Sequence, residues 1–127
     1  MEELQMKTED FNKVLDEQIK RSTDVLVQKA VEYATDDRLH NFKVAAELQG
    51  CSTRFALAGM MAKHTVSVYD MCASNKDYSV EMWNEKITDH INYLLLLRAV
   101  VDEDLTKMKC CSGVGEEKRD YMKELTK

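Results

Sequence analysis

Two groups of carboxylates stand out in this chain of 127 residues. Glu32, Asp36 and Asp37 form one, and Glu85 with Asp89 forms the other. Hard divalent cations such as Mg²⁺ take oxygen ligands from one or two carboxylates together with phosphate oxygens and water. Glu32, Asp36, Glu85 and Asp89 are therefore the candidate metal ligands, and two antiparallel helices would bring them together. Lys29, Arg38, Lys63 and Lys86 could meet phosphate charge, while Asn41, Asn92 and Tyr33 or Tyr93 could orient a base or a sugar. If the chain is an enzyme, metal-activated water attacking phosphorus is the chemistry these residues allow. Covalent catalysis has no support, because the sequence has no glycine-rich phosphate loop, nucleophile elbow, HExxH zinc motif or informative Cys–His spacing.

The second acid pair lies on the stretch around which the chain is organised, WNEKITDHINYLLLLR from Trp83 to Arg98. At 100° per residue, Trp83, Ile87, Ile91 and Leu94 share an apolar face, and Glu85, Asp89 and Asn92 line a separate stripe. Leu96 continues that stripe, with Leu95 and Leu97 to either side, so a central helix covered on most sides is expected from about Val80 to Met108. Its carboxylates then sit at the mouth of a packed region, where they need cations, donors or a metal.

Three other helices must hold this one. Phe11, Leu15, Ile19, Ser22, Leu26, Ala30 and Tyr33 recur at helical steps and predict a long amphipathic first helix from Thr8 to about Ala34. Its inward stripe is thin at the N-terminal end, which frays or needs a partner chain. Lys29, Glu32 and Asp36 share one edge of it, and a solvated charge pairing is the plainer explanation of that spacing. A short second helix from about Leu39 to Leu48 stops at Gly50. Ser52 or Thr53 caps a third helix that runs to about Ala73 and has two apolar faces, one of them Phe55, Ala58, Gly59, Ala62, Val66 and Tyr69. Its strip Lys63, Ser67 and Asp70 is an exposed ion pair, or else a lysine aimed at an anion and held by Asp70. His40 is read as a surface side chain and His64 as a partly buried core histidine, with the methionines as packing.

Composition bounds the rest. The chain has no proline and four glycines, with 44% apolar and 32% charged residues, which together predict one all-α domain over residues 1–127, frayed or peripheral at 1–7 and 112–127. The net charge of −5 argues against a partner of duplex nucleic acid, which needs a basic stripe to release counterions. The longest apolar run, Tyr93 to Leu97, is too short to span a bilayer, so no membrane partner and a cytoplasmic location are expected. Cys51, Cys72, Cys110 and Cys111 have no zinc-like spacing and are read as reduced thiols.

Three segments, KAVEYATDDRLHNFKVAAELQG, ALAGMMAKHTVSVYDMC and WNEKITDHINYLLLL, resemble small phage and prophage proteins related to the nucleotide-modification-associated group. That group is distantly similar to the all-α, MazG-like nucleoside triphosphate pyrophosphatases. The resemblance implies acids on two neighbouring helices that bind Mg²⁺ around a triphosphate. Its later motif, ExxxD or ExxD, falls on Glu85 and Asp89, followed by Asn92 and Tyr93; the earlier EExxE is missing, and Glu32 with Asp36 stands near its place. On this basis Glu32, Glu85 and Asp89 are the catalytic candidates, with Lys29, Tyr33, Arg38, Asn41, Lys63, Lys86, Asn92 and Tyr93 as ligand-binding candidates.

The expected protein is thus a compact bundle of about four main helices that binds a nucleotide or nucleotide-derived small molecule, with Mg²⁺-dependent hydrolysis as its enzymatic form. The alternative is a non-enzymatic phage accessory protein that sequesters a host signalling molecule or inhibits a host defence protein. The apolar faces exceed what four short helices cover, so a homo-oligomer is expected, most simply a dimer through helix three or the first half of helix one.

Overall fold

A computed structural model describes residues 4–32 and 36–110 of the chain. These residues form four helices, α1 (Thr8–Glu32), α2 (His40–Gln49), α3 (Thr53–Ala73) and α4 (Val80–Cys110), with no strand among them. The bundle expected from the periodicity is what forms. The end of the first helix near Ala34, the side chain of Tyr33, the residue Cys111 and the tail 112–127 lie outside the described residues.

The helix boundaries follow from local chemistry. Gly50 closes α2 in the left-handed conformation at φ 65°, and the N–H groups of Gly50 and Cys51 donate to the carbonyls of Glu47 and Ala46. A side chain at this position would meet backbone strain that glycine avoids. Two residues later Ser52 caps α3, its hydroxyl accepting from the N–H of Phe55 at 3.1 Å. Ser79 does the same for α4, accepting from Met82 at 3.1 Å. Each cap satisfies a donor that the first helical turn leaves without a partner.

Side-chain contacts fix how the helices run. Thr65 Oγ1 lies 3.0 Å from His90 Nε2, and Arg54 Nε lies 3.5 Å from Asp104 Oδ2. Higher positions on α3 therefore meet lower positions on α4, and the two are antiparallel. On the other side of α4 the order is reversed. Gln18 donates to Thr88 Oγ1 at 3.0 Å, and Asn92 Nδ2 donates to the Ser22 carbonyl at 3.3 Å, each pair 70 residues apart in sequence. Thus α1 runs parallel to α4.

The core is small and sits beside α2. Leu39, Phe42, Leu57 and Val100 are buried together, with Met60, Tyr93, Leu96 and Leu97 packed around them. In contrast α1 buries only Ser22, and Phe11, Leu15 and Ile19 stay about half exposed. The register explains why: it sets Phe11 and Leu15 at the level of Glu81 and Glu85, which offer them no apolar partner. The expectation that α4 would be covered on most sides holds only in part, since Leu94 and Leu95 are each 48% exposed.

Stability should therefore depend on few side chains. Replacing the fully buried Leu57 with Ala is expected to cost about 2–5 kcal/mol, and Ser52→Ala about 1 kcal/mol through the lost cap. Urea unfolding followed by circular dichroism measures both; equal, small losses would mean that the core lies elsewhere.

Candidate functional site

The α1–α4 seam is polar where it is most deeply buried. Ser22, Thr88 and Asn92 are all at most 5% exposed. Gln18 Nε2 donates to both Ser22 Oγ and Thr88 Oγ1 at 3.0 Å, and its own Oε1 accepts from Arg21 at 2.9 Å. Asn92 is satisfied on one side only. Its Nδ2 is bonded to Ser22, but its buried Oδ1 has no hydrogen-bond partner. A buried acceptor left in that state costs about 1–3 kcal/mol, and it calls for an explanation.

Next to this seam a cleft of about 150 Å³ opens between the helices. Val25, Leu26 and Lys29 line it from α1, Asn41 and Phe42 from α2, and Met60 from α3. Asp89, Asn92, Tyr93 and Leu96 come from α4, and Arg38 from the loop before α2. One wall is aromatic: Tyr93 stacks on His64 at a centroid distance of 4.6 Å and meets Phe42 edge-on at 6.2 Å. The cleft thus joins a flat apolar surface, two cations, one carboxylate and two carboxamides.

His64 is partly buried, as expected, and its stacking on Tyr93 sets it beside this cleft without lining it. Burial holds its imidazole below the ordinary value of 6.5; Lys63, Lys86 and Lys29 push it further down, and Asp89 pulls it up. The same neighbours show where three of the proposed cations lie. Lys29 lines the cleft, while Lys63 and Lys86 stand near His64 without lining it.

A separate ion-pair chain holds the loop that carries Arg38. Asp37 Oδ1 accepts from the N–H of Leu39 at 2.9 Å, and its Oδ2 from Lys43 Nζ at 2.6 Å. Lys43 also reaches Glu103 on α4 at 2.8 Å, and Glu103 takes Lys107 at 3.1 Å. The Lys43 ammonium, donating to both carboxylates, holds Asp37 and Glu103 below their ordinary values. Arg38 and Asn41 are held at the cleft in this way. No sequence spacing pointed to Lys43, because its two acids come from a loop and a distant helix.

Six of the residues singled out in the sequence, Lys29, Arg38, Asn41, Asp89, Asn92 and Tyr93, come together in the cleft. Glu32, Asp36 and Glu85 are exposed and do not line it. The parallel register is the cause: Glu32 falls at the level of Asp102, roughly 25 Å along the axis from Glu85 at the usual helical rise. The antiparallel pairing that would join the two acid groups does not form. Among the described residues no three His, Cys, Asp or Glu side chains gather as a metal-ligand set. Nor does an ion pair join Lys63 to Asp70 among them.

These shifts predict a two-stage acid response. A histidine with a depressed pKa destabilises the fold as pH falls below 6.5, because the unfolded chain takes up the proton first. The lowered carboxyls of Asp37 and Glu103 stabilise the fold above their ordinary values of 3.8 and 4.5, and this is lost as pH falls through their folded values. Unfolding midpoints measured from pH 8 to 3 should fall in both windows. His64→Phe should remove the upper step, and Lys43→Met should shrink the lower, where the Leu39 N–H and Lys107 still favour the carboxylates; an unchanged profile in either variant would refute that assignment. Compared with known protein families, with characterised proteins and with solved structures, the chain finds no match.

Proposed function

We propose that the chain binds a nucleotide or nucleotide-derived small molecule in this cleft. The observation that carries the reading is the buried, unpaired Oδ1 of Asn92 in a cleft that Lys29 and Arg38 also line. A nucleobase supplies the N–H donor that such an acceptor lacks, and its flat face suits the surface made by Phe42, Tyr93 and Leu96. Phosphate charge suits Lys29 and Arg38. Asp89, half-buried in the same cleft, is an acceptor for sugar hydroxyls or base N–H groups.

Binding is favoured over hydrolysis. Mg²⁺ held around a triphosphate would find one carboxylate in the cleft, Asp89, and the described acids Glu32, Asp36 and Glu85 do not reach it. These donors do not fit the two-helix acid set that the resemblance implies. Sequestration of a small signalling nucleotide, which needs no turnover, uses the same groups.

The test is calorimetry with ribo- and deoxyribonucleoside mono-, di- and triphosphates and cyclic nucleotides, each with and without Mg²⁺, alongside an assay of phosphate and pyrophosphate release. Binding without turnover is expected. Lys29→Met should weaken it by tenfold or more, the scale of one lost charge-assisted contact, and Asp89→Asn should weaken it while leaving the helical signal intact. Silence across the panel removes the reading, as does binding that neither variant alters. Mg²⁺-dependent release abolished by Asp89→Asn would instead establish the enzymatic form.

A further inference from the structure

The cleft lies on one side of the α3–α4 pair, and the opposite side is apolar and uncovered. On α3 this side presents Phe55, Ala58, Gly59, Ala62, Val66 and Tyr69, all exposed, Phe55 by 69% and Tyr69 by 73%. On α4 it presents Ile87 and Leu94, with Val101 half-buried beside them. Contiguous apolar surface of this kind marks an interaction site.

The spacing identifies the occupant. Phe55, Ala62 and Tyr69 are seven residues apart, as are Ile87, Leu94 and Val101, so each triplet keeps to one side of its helix. The contacts Thr65–His90 and Arg54–Asp104 set Ala62 level with Leu94. Phe55 is then level with Val101, and Tyr69 with Ile87. Both triplets are symmetric about that one level. A single two-fold axis crossing the pair there lays each stripe on its own copy: Phe55 meets Tyr69, Ile87 meets Val101, and Ala62 and Leu94 each meet themselves. Large side chains fall at the ends and the small Ala58, Gly59 and Ala62 near the middle, where the helix backbones approach. A Cβ built at Gly59 meets nothing within 4 Å, so that approach is open.

The size fits as well. From residue 55 to 69 a helix runs about 21 Å, and two helices packed 8–10 Å apart present a face roughly 20 Å wide. The footprint is on the order of 400 Å² in projection and larger in accessible area, close to the roughly 600 Å² per partner at which stable interfaces begin. The polar groups on this side are already engaged within the chain, Thr65 with His90 and, beside Leu94, Arg98 with Asp102. We propose that this face of α3 and α4 pairs with the same face of a second copy, as an isologous antiparallel four-helix layer.

Sedimentation velocity of the full chain over a concentration series tests this. A concentration-dependent dimer is expected for the wild type. Ala62→Arg and Leu94→Lys should each raise the dissociation constant at least tenfold while keeping the far-UV signal, because both sites are exposed in the single chain. Ile19→Lys, on the exposed stripe of α1, should leave the dimer intact. Ala62→Cys gives a second reading if a charged variant misfolds: oxidation should link two chains through residue 62 above the wild-type thiol background. A wild type that stays monomeric at every concentration overturns the proposal. So does a dimer lost in Ile19→Lys and untouched by Leu94→Lys, or an Ala62→Cys chain that links no more than wild type. None of these outcomes depends on the ligand assigned to the cleft.

Discussion

Two hydrogen bonds across the α1–α4 seam, Gln18 to Thr88 and Asn92 to the Ser22 carbonyl, decide how this molecule is arranged. Apolar ridges tolerate sliding by a turn, but buried polar groups do not, because any other register strands Ser22, Thr88 and Asn92 without partners. The bonds therefore fix α1 parallel to α4 and in one position. That choice brings Val25, Leu26 and Lys29 to the cleft, and it carries Glu32 away from Glu85 and Asp89. The same asparagine that pins the helices is left with an acceptor that no other described residue meets.

Electrostatics then finish the site from the other side. Lys43 sits between Asp37 and Glu103 and ties the loop before α2 to α4. All three side chains are partly exposed, so the gain in stability is modest. Its value is geometric. The loop that bears Arg38 and the first turn that bears Asn41 are held against α4, facing the groups that α1 supplies.

Much of the fold was legible from residue types. Gly50 and Ser52 mark helix ends through local chemistry that needs no tertiary knowledge, and the periodicity around Trp83–Arg98 identified α4. The direction of helix pairing was not legible, because a stripe of apolar and polar side chains reads the same whether its neighbour runs up or down. For that reason Lys29, Arg38, Asn41, Asp89, Asn92 and Tyr93 were found together, whereas Glu32 and Glu85 were not. His64 was read as a partly buried core histidine and is one, but its closeness to the cleft was not drawn from that. Its position one turn after Met60, which lines the cleft, was the signal that it stands beside the site.

The weak attachment of α1 has a kinetic consequence. Helices α2, α3 and α4 are joined by short connections and share the apolar core, so their contacts form early and with little loop-closure cost. The seam to α1 closes contacts 70 residues apart and buries almost no hydrocarbon. Such a unit detaches at lower free energy than the whole molecule unfolds, and its amides exchange with solvent first. When α1 lifts away it takes one wall of the cleft with it. Opening of the cleft and release of the least stable cooperative unit of the protein are then the same motion, so whatever holds the cleft closed slows hydrogen exchange along the whole of α1.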